Sequence, residues 1–232
     1  MSRRDLVTLA VAVLATLPVA RRAGAQDMRL AAQLDPATAT RVGSIVDRAR
    51  AASLPTEPLI DKALEGARKR APAARILDAV GALAARLDTS RTALGATATE
   101  SELVAGASAL QAGVASPVLR ELRAARGTKS LAVPLVVLGD LVTRGVPSDT
   151  ASALILLVAR EGLGDETLLA IQRDVQRDVR DGAHPATAAA IRARGAVGGG
   201  ATRLRPVRGP VTAGASSLAP APGAAHPMIG RF

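Results

Sequence analysis

The chain is expected to be all-α, either an irregular multi-helix bundle or a short α-solenoid of helical hairpins, with a disordered C-terminal tail. Three observations carry this expectation. The stretch Leu131–Ala159, LAVPLVVLGDLVTRGVPSDTASALILLVA, carries only Asp140, Arg144 and Asp149 as charges and is broken once, by Gly145-Val146-Pro147. Two segments this apolar, joined by a turn, have no polar face for water, so each must be surrounded by other helices. Elsewhere apolar residues recur at spacings of three and four, the helical period, and no run alternates as strands must. Finally, Gly or a basic residue followed shortly by Pro punctuates the chain at Arg70-Ala71-Pro72, Gly113 to Pro117, Gly145 to Pro147 and Gly182 to Pro185. The glycines of the last three breaks lie 32 and 37 residues apart, near the size of helix-pair repeats, although no side-chain signature is evident with them.

The central stretch does not read as a membrane span. A hydrocarbon core needs ~20 consecutive apolar residues, whereas Asp140 stops the first run and Gly-Val-Pro, Ser148 and Asp149 prevent a join with the second. Its arms are expected to start near Pro134 and near Ser148. Asp140 and Arg144 stand four apart, acid first, the better orientation for an ion pair on one helix face.

In chain order, residues 1–25 read as an export signal. Ser2-Arg3-Arg4 supplies a positive start, Leu6 to Ala20 is an uncharged apolar run, and Ala23-Gly24-Ala25 precedes a cleavage point at Gln26. Ser-Arg-Arg-Asp-Leu resembles the twin-arginine signal, which implies transport of the folded protein across a bacterial inner membrane; the general secretory route, and retention of the segment as an anchor, stay open. Residues 26–34 read as a lead-in. Asp35-Pro36 starts a helix that runs to about Ala52, with Val42, Ile45 and Val46 inward. After the break at Leu54 to Pro58, a helix to about Arg70 faces Leu59, Ile60 and Leu64 inward and carries the row Asp61, Glu65, Lys69 outward. Its terminal Arg68-Lys69-Arg70 suits the unsatisfied carbonyls of a helix end.

Pro72 opens a third helix with Ile76, Val80, Leu83 and Leu87 on one stripe, ended by Asp88-Thr89-Ser90 and followed by a short irregular or helical piece near Leu94. Thr99-Glu100-Ser101-Glu102 is a capping box. The helix it starts puts Leu103, Ala107 and Leu110 inward and ends at Gly113. Ser116-Pro117 begins another, with Val118, Leu119 and Leu122, closed by Gly127. After the central hairpin, Gly164-Asp165 starts a helix with Leu168, Ile171, Val175 and Val179 as its buried stripe. His184-Pro185 starts a last one, to about Arg194. The helical domain thus spans 35–194, and residues 195–232, rich in Gly, Pro, Ala and Ser, cannot bury enough surface to offset the entropy of ordering them.

Composition narrows the chemistry. The 232 residues include one Phe, no Trp, no Tyr and no Cys. Disulfides, Cys-ligated metals and thiol nucleophiles are therefore excluded, and stacking platforms for bases are lacking. The net charge of +10 concentrates at the ends: Arg3, Arg4, Arg21 and Arg22 face only Asp5, and Arg203, Arg205, Arg208 and Arg231 face no acid. The helical body between is nearly balanced, so the whole-chain charge does not point to a basic binding face.

No catalytic, cofactor-binding or metal residue is assigned. His184 reads as a helix-start residue and His226 lies in the tail, neither with ligand partners at metal spacing. Asp174, Asp178 and Asp181 form one helical row that could hold a hard cation. The adjacent row Arg173, Arg177, Arg180 would neutralise it, with Arg177 pairing to Asp174 and Asp181, so a solvated ionic lattice is expected. Gly127-Thr128-Lys129-Ser130 has the letters of a phosphate loop in the wrong order. The expected function is an exported, non-enzymatic interaction or structural module of a bacterial cell envelope with a protein partner. The alternatives are a protein tethered to anionic lipid, polysaccharide or nucleic acid through Arg203, Arg205 and Arg208, and an enzyme using carboxylates alone.

Overall fold

The computed structural model describes residues 28–198. Residues 1–25, expected as an export signal, residues 199–232 and His226 lie outside them. The described residues form ten helices and no strand: α1 (Met28–Gln33), α2 (Pro36–Ala51), α3 (Glu57–Arg68), α4 (Ala73–Leu94), α5 (Glu100–Gln111), α6 (Ser116–Arg126), α7 (Ala132–Thr143), α8 (Ser148–Arg160), α9 (Asp165–Arg180) and α10 (Pro185–Gly198). They fall into two compact units that meet at Asp88 and Thr89, within α4.

In the first unit α1, α2 and α3 pack on one another pairwise. Residues 28–33, expected as lead-in, are helical because tertiary contacts hold so short a piece: Leu30 is buried, and Arg29 donates to both carboxylate oxygens of Glu57 at 2.6 and 3.1 Å. Asp35 caps α2 by accepting the Thr38 amide at 3.0 Å, and Pro36 takes the first helical position. The outward row of α3 is solvated as expected, with Lys69 and Lys62 donating to Glu65 and drawing its carboxyl down to about 2.

Six helices end in the same way. The amide of the second residue past the cap donates back five residues, Leu54 to Ala49, Ala71 to Gly66, Val114 to Ala109, Val146 to Leu141, Leu163 to Val158 and Ala183 to Asp178, at 2.8–3.1 Å. This is the Schellman closure, and it places one residue in the left-handed region. Glycine fills that place at 113, 145, 162 and 182, whereas Ser53 (φ 55°) and Arg70 (φ 52°) carry a side chain there. A Cβ at positive φ costs energy that glycine avoids. Ser53→Gly and Arg70→Gly are each expected to raise stability by about 0.5–1 kcal/mol after the added freedom of the unfolded chain is subtracted, read as an upward shift of the thermal midpoint.

The expected end of the third helix at Asp88-Thr89-Ser90 is not observed, and α4 continues to Leu94. Polar as the triplet is, Leu87, Ser90, Ala93 and Leu94 stay on one buried stripe. Ser90 fits there because its neighbour on α5 is Gly106, where any methyl would collide with the Ser90 hydroxyl.

In the second unit the helices lie in two rows. α7 packs on α5 and on α9, while α8 packs on α6 and on α10; α7 with α8 and α9 with α10 form the hairpins between rows. This i to i+2 stacking is the neighbour pattern of an α-solenoid, in which each hairpin contacts only the next. A side-chain signature does recur with it. Leu103, Leu135 and Leu168, each fourth in its helix, are at most 1 % exposed. Leu119, Ala151 and Ala188, each six residues past its closing glycine, are fully buried. Helices within a row approach closely where side chains are small: a methyl at Gly139 of α7 would stand 3.5 Å from the Ala109 Cα of α5.

Three further expectations need correction. The hairpin arm α7 starts at Ala132, with Pro134 buried inside its first turn, where a missing amide breaks no helical bond. It is not covered on every side, since Val136 is 55 % exposed. Helix α10 continues past Arg194 to Gly198, so residues 195–198 belong to the folded body.

Candidate functional site

Ionisable groups in the second unit gather at three places. On α5, Glu102 closes the capping box, accepting the Thr99 amide at 2.8 Å while Thr99 Oγ1 accepts the Glu102 amide at 3.3 Å. Its other oxygen accepts the Leu131 amide at the start of α7 and Nη2 of Arg123 from α6, both at 2.8 Å. One buried carboxylate therefore fastens three helices. Burial pushes the Glu102 carboxyl up, and the two amides and the guanidinium outweigh it, holding the group below the ordinary glutamate value.

On α7, Nε of Arg144 donates to both carboxylate oxygens of Asp140 at 2.9 Å, the ion pair expected from the sequence, and the side-chain amides of Gln172 and Gln176 from α9 donate to Oδ2 at 2.8 Å. Burial again raises the carboxyl, while Arg144 and the two glutamines bring it below the usual aspartate value. The third place is the row expected to be solvated. Asp178 and Arg192 are both fully buried and meet in a two-pronged pair, Nε to Oδ2 and Nη2 to Oδ1, each at 2.7 Å. Asp174 lies 3.6 Å from Arg192 Nη1 and 3.1 Å from Arg177, while Asp181 is exposed. The stripe of α9 thus runs Leu168, Ile171, Val175, Asp178 rather than through Val179. Arg192 was not singled out in the sequence; its hydrogen bond to Asp178 keeps the guanidinium charged against the opposing effect of burial.

The remaining sequence candidates take structural places. His184 is exposed, and its carbonyl accepts the Ala188 amide in the first turn of α10. In the Gly127 to Ser130 loop the carbonyls of Gly127 and Lys129 face Arg123 at 3.0 and 3.2 Å, a polarity suited to a cation rather than to phosphate. Asp165 opens α9 and accepts from Arg126 at 2.7 Å. Among the described residues no three His, Asp or Glu side chains stand together as metal ligands, and no helix is long and apolar enough to cross a membrane.

What the second unit presents outward is an apolar ladder. Val104, Val136 and Leu169, each fifth in its helix, follow one another along the row α5, α7, α9. Val136 and Leu169 are 55 % and 41 % exposed, and a hollow bordered by Glu100, Val104, Ser108 and Val136 opens between the first two rungs. The sequence pattern places the stretch 131–159 inside, and of the three rungs Val136 lies in it. No protein-family model matches the chain, and comparison with curated proteins and with solved structures returns no match.

Proposed function

We propose that the protein is an exported, non-enzymatic interaction or structural module of a bacterial cell envelope. The observation that carries the interaction role is the ladder Val104, Val136, Leu169, repeated at one register on stacked helices, with Val136 and Leu169 open to solvent and Val104 half-buried beside them. Stacked hairpins form extended surfaces whose side chains vary without disturbing the core, which suits partner recognition. The buried ionised groups Glu102, Asp178 and Arg192 are committed to holding helices together. Export rests on the arginine pair, the Leu6–Ala20 run and the Ala23-Gly24-Ala25 site.

Fractionation of cells producing the untagged chain, with intact-mass analysis, tests both parts. The expected product starts at Gln26 and sits outside the cytoplasm, and a photo-crosslinker at Val136 gives a discrete protein adduct. A cytoplasmic form that keeps Met1 would sink the export reading. Release from the envelope by salt alone, with no adduct, would favour the tether through Arg203, Arg205 and Arg208 instead.

A further inference from the structure

The first unit holds a second open surface, a groove between α2 and α4. Ile45, Ala49 and Leu54 line it from the α2 side, and Gly81, Ala84 and Ala85 from α4, around a volume of about 470 Å³. It runs on into a wider hollow beside Arg41, Leu77 and Asp78. The stretch of α2 from Arg41 to Ala51 corresponds to about 15 Å at 1.5 Å per residue, enough for about three turns of a docked helix.

Two features specify the occupant. The first is the distribution of charge. Arg41 and Arg48 stand two turns apart on α2, and Asp78 and Asp88 border the groove from α4. Arg41, Asp78 and Asp88 make no ion pair or side-chain hydrogen bond among the described residues, Arg48 donates only to the Ser44 carbonyl, at 3.3 Å, and Asp47, also at the rim, is held by Arg50. One wall therefore presents guanidinium groups and the other presents carboxylates. The second is Gly81. Glycine inside a helix is destabilising relative to alanine, and here a methyl would meet nothing within 4 Å. Gly66 of the same unit differs, because a methyl there would come 2.8 Å from Ile76 Cγ1. Packing within the chain explains Gly66 and leaves Gly81 as bare backbone facing the groove, open to close approach from outside.

We infer that this groove receives one amphipathic helix of a partner protein. Its apolar stripe lies on Gly81 and Ala84, an acidic flank faces Arg41 and Arg48, and a basic flank faces Asp78 and Asp88. Apolar contact in such a site supplies affinity, and the two charged walls fix the direction in which the helix lies. The assignment deepens the interaction-module reading and rests on it only in taking the protein to bind another.

The probe is a fluorescently labelled synthetic helix of about 20 residues with a Leu/Ala stripe, a Glu row on one flank and a Lys row on the other, titrated with the purified full chain by anisotropy. A control peptide carries Lys on both flanks. The split-flank peptide is expected to bind at least about tenfold more tightly than the control. Gly81→Leu fills the groove without touching the core, so it is expected to abolish binding while leaving the thermal midpoint unlowered. Arg41→Glu/Arg48→Glu is expected to reverse the preference between the peptides. Equal binding of both peptides, or binding that survives Gly81→Leu, would overturn the assignment, as would sedimentation showing a dimer of the chain itself that Gly81→Leu dissolves. Because the titration uses purified protein, its failure leaves the fractionation result standing, and a cytoplasmic location leaves the groove result standing.

Discussion

Replacing Arg192 with methionine is expected to cost about 3–5 kcal/mol, among the largest single losses available in this chain, because it strands a carboxylate in a site closed to water. Asp178 is fully buried and takes two guanidinium hydrogen bonds at 2.7 Å, and both are removed at once. The pair joins α9 to α10, so α10 should loosen first, with the buried Ala188 and Ala189 losing amide protection ahead of α5 and α7. The double substitution Asp178→Leu/Arg192→Met should recover most of the loss, since a well-packed apolar pair in place of a buried ion pair is often neutral or better. Urea midpoints of the single and double variants provide the measurement. A loss under about 1 kcal/mol for Arg192→Met would show that water reaches Asp178 and that the pair behaves like a surface bridge.

This pair also marks the limit of what could be read from the chain. Helix ends are legible where their determinants are local: Asp35 with Thr38, the Thr99 to Glu102 box, and Gly113, Gly145, Gly162 and Gly182, placed where a left-handed residue closes the helix. Asp178 and Arg192 are 14 residues apart on different helices, and the pattern rule chose Val179 over Asp178 because it scores polarity without knowing that a guanidinium is waiting. A usable signal existed. Arg192 stands ten residues past Gly182, the register at which Ile155 follows Gly145, and Ile155 is buried.

The continuation of α4 through Asp88-Thr89-Ser90 was hidden for a related reason. A polar triplet reads as a stop until Gly106 is seen to leave room for the Ser90 side chain. The repeat was visible in the glycine spacing, but its leucine signature appears only once the helix starts are known, because α5 opens after a capping box whereas α7 opens without any side-chain cap. The open ladder is not legible in the sequence because composition cannot say which side of an apolar helix its neighbours leave uncovered. Val136 sits within a run where the adjacent Leu135 and Val137 are both fully buried.

Glu102→Ala is expected to be the second large loss, about 3 kcal/mol, because three unlike partners depend on one carboxylate. The Thr99 amide loses the closing half of its capping box, and the Leu131 amide is left without its acceptor where the chain enters α7. Arg123 loses its acidic partner and keeps only the carbonyls of Gly127 and Lys129. Glu102→Gln should fall between Ala and the native residue, since its amide oxygen can serve one donor while its NH₂ opposes another. The pH dependence separates charge from shape. The folded carboxyl titrates below its ordinary value of 4.5, so the unfolded state binds the proton first as pH falls. Its stabilisation is therefore fully present above the unfolded value and is lost as pH drops through the lower, folded one. Native protein should lose stability in that acid window more steeply than Glu102→Gln. Parallel pH profiles of the two unfolding midpoints would show instead that the carboxylate is held by geometry alone and that its charge contributes nothing to the junction of α5, α6 and α7.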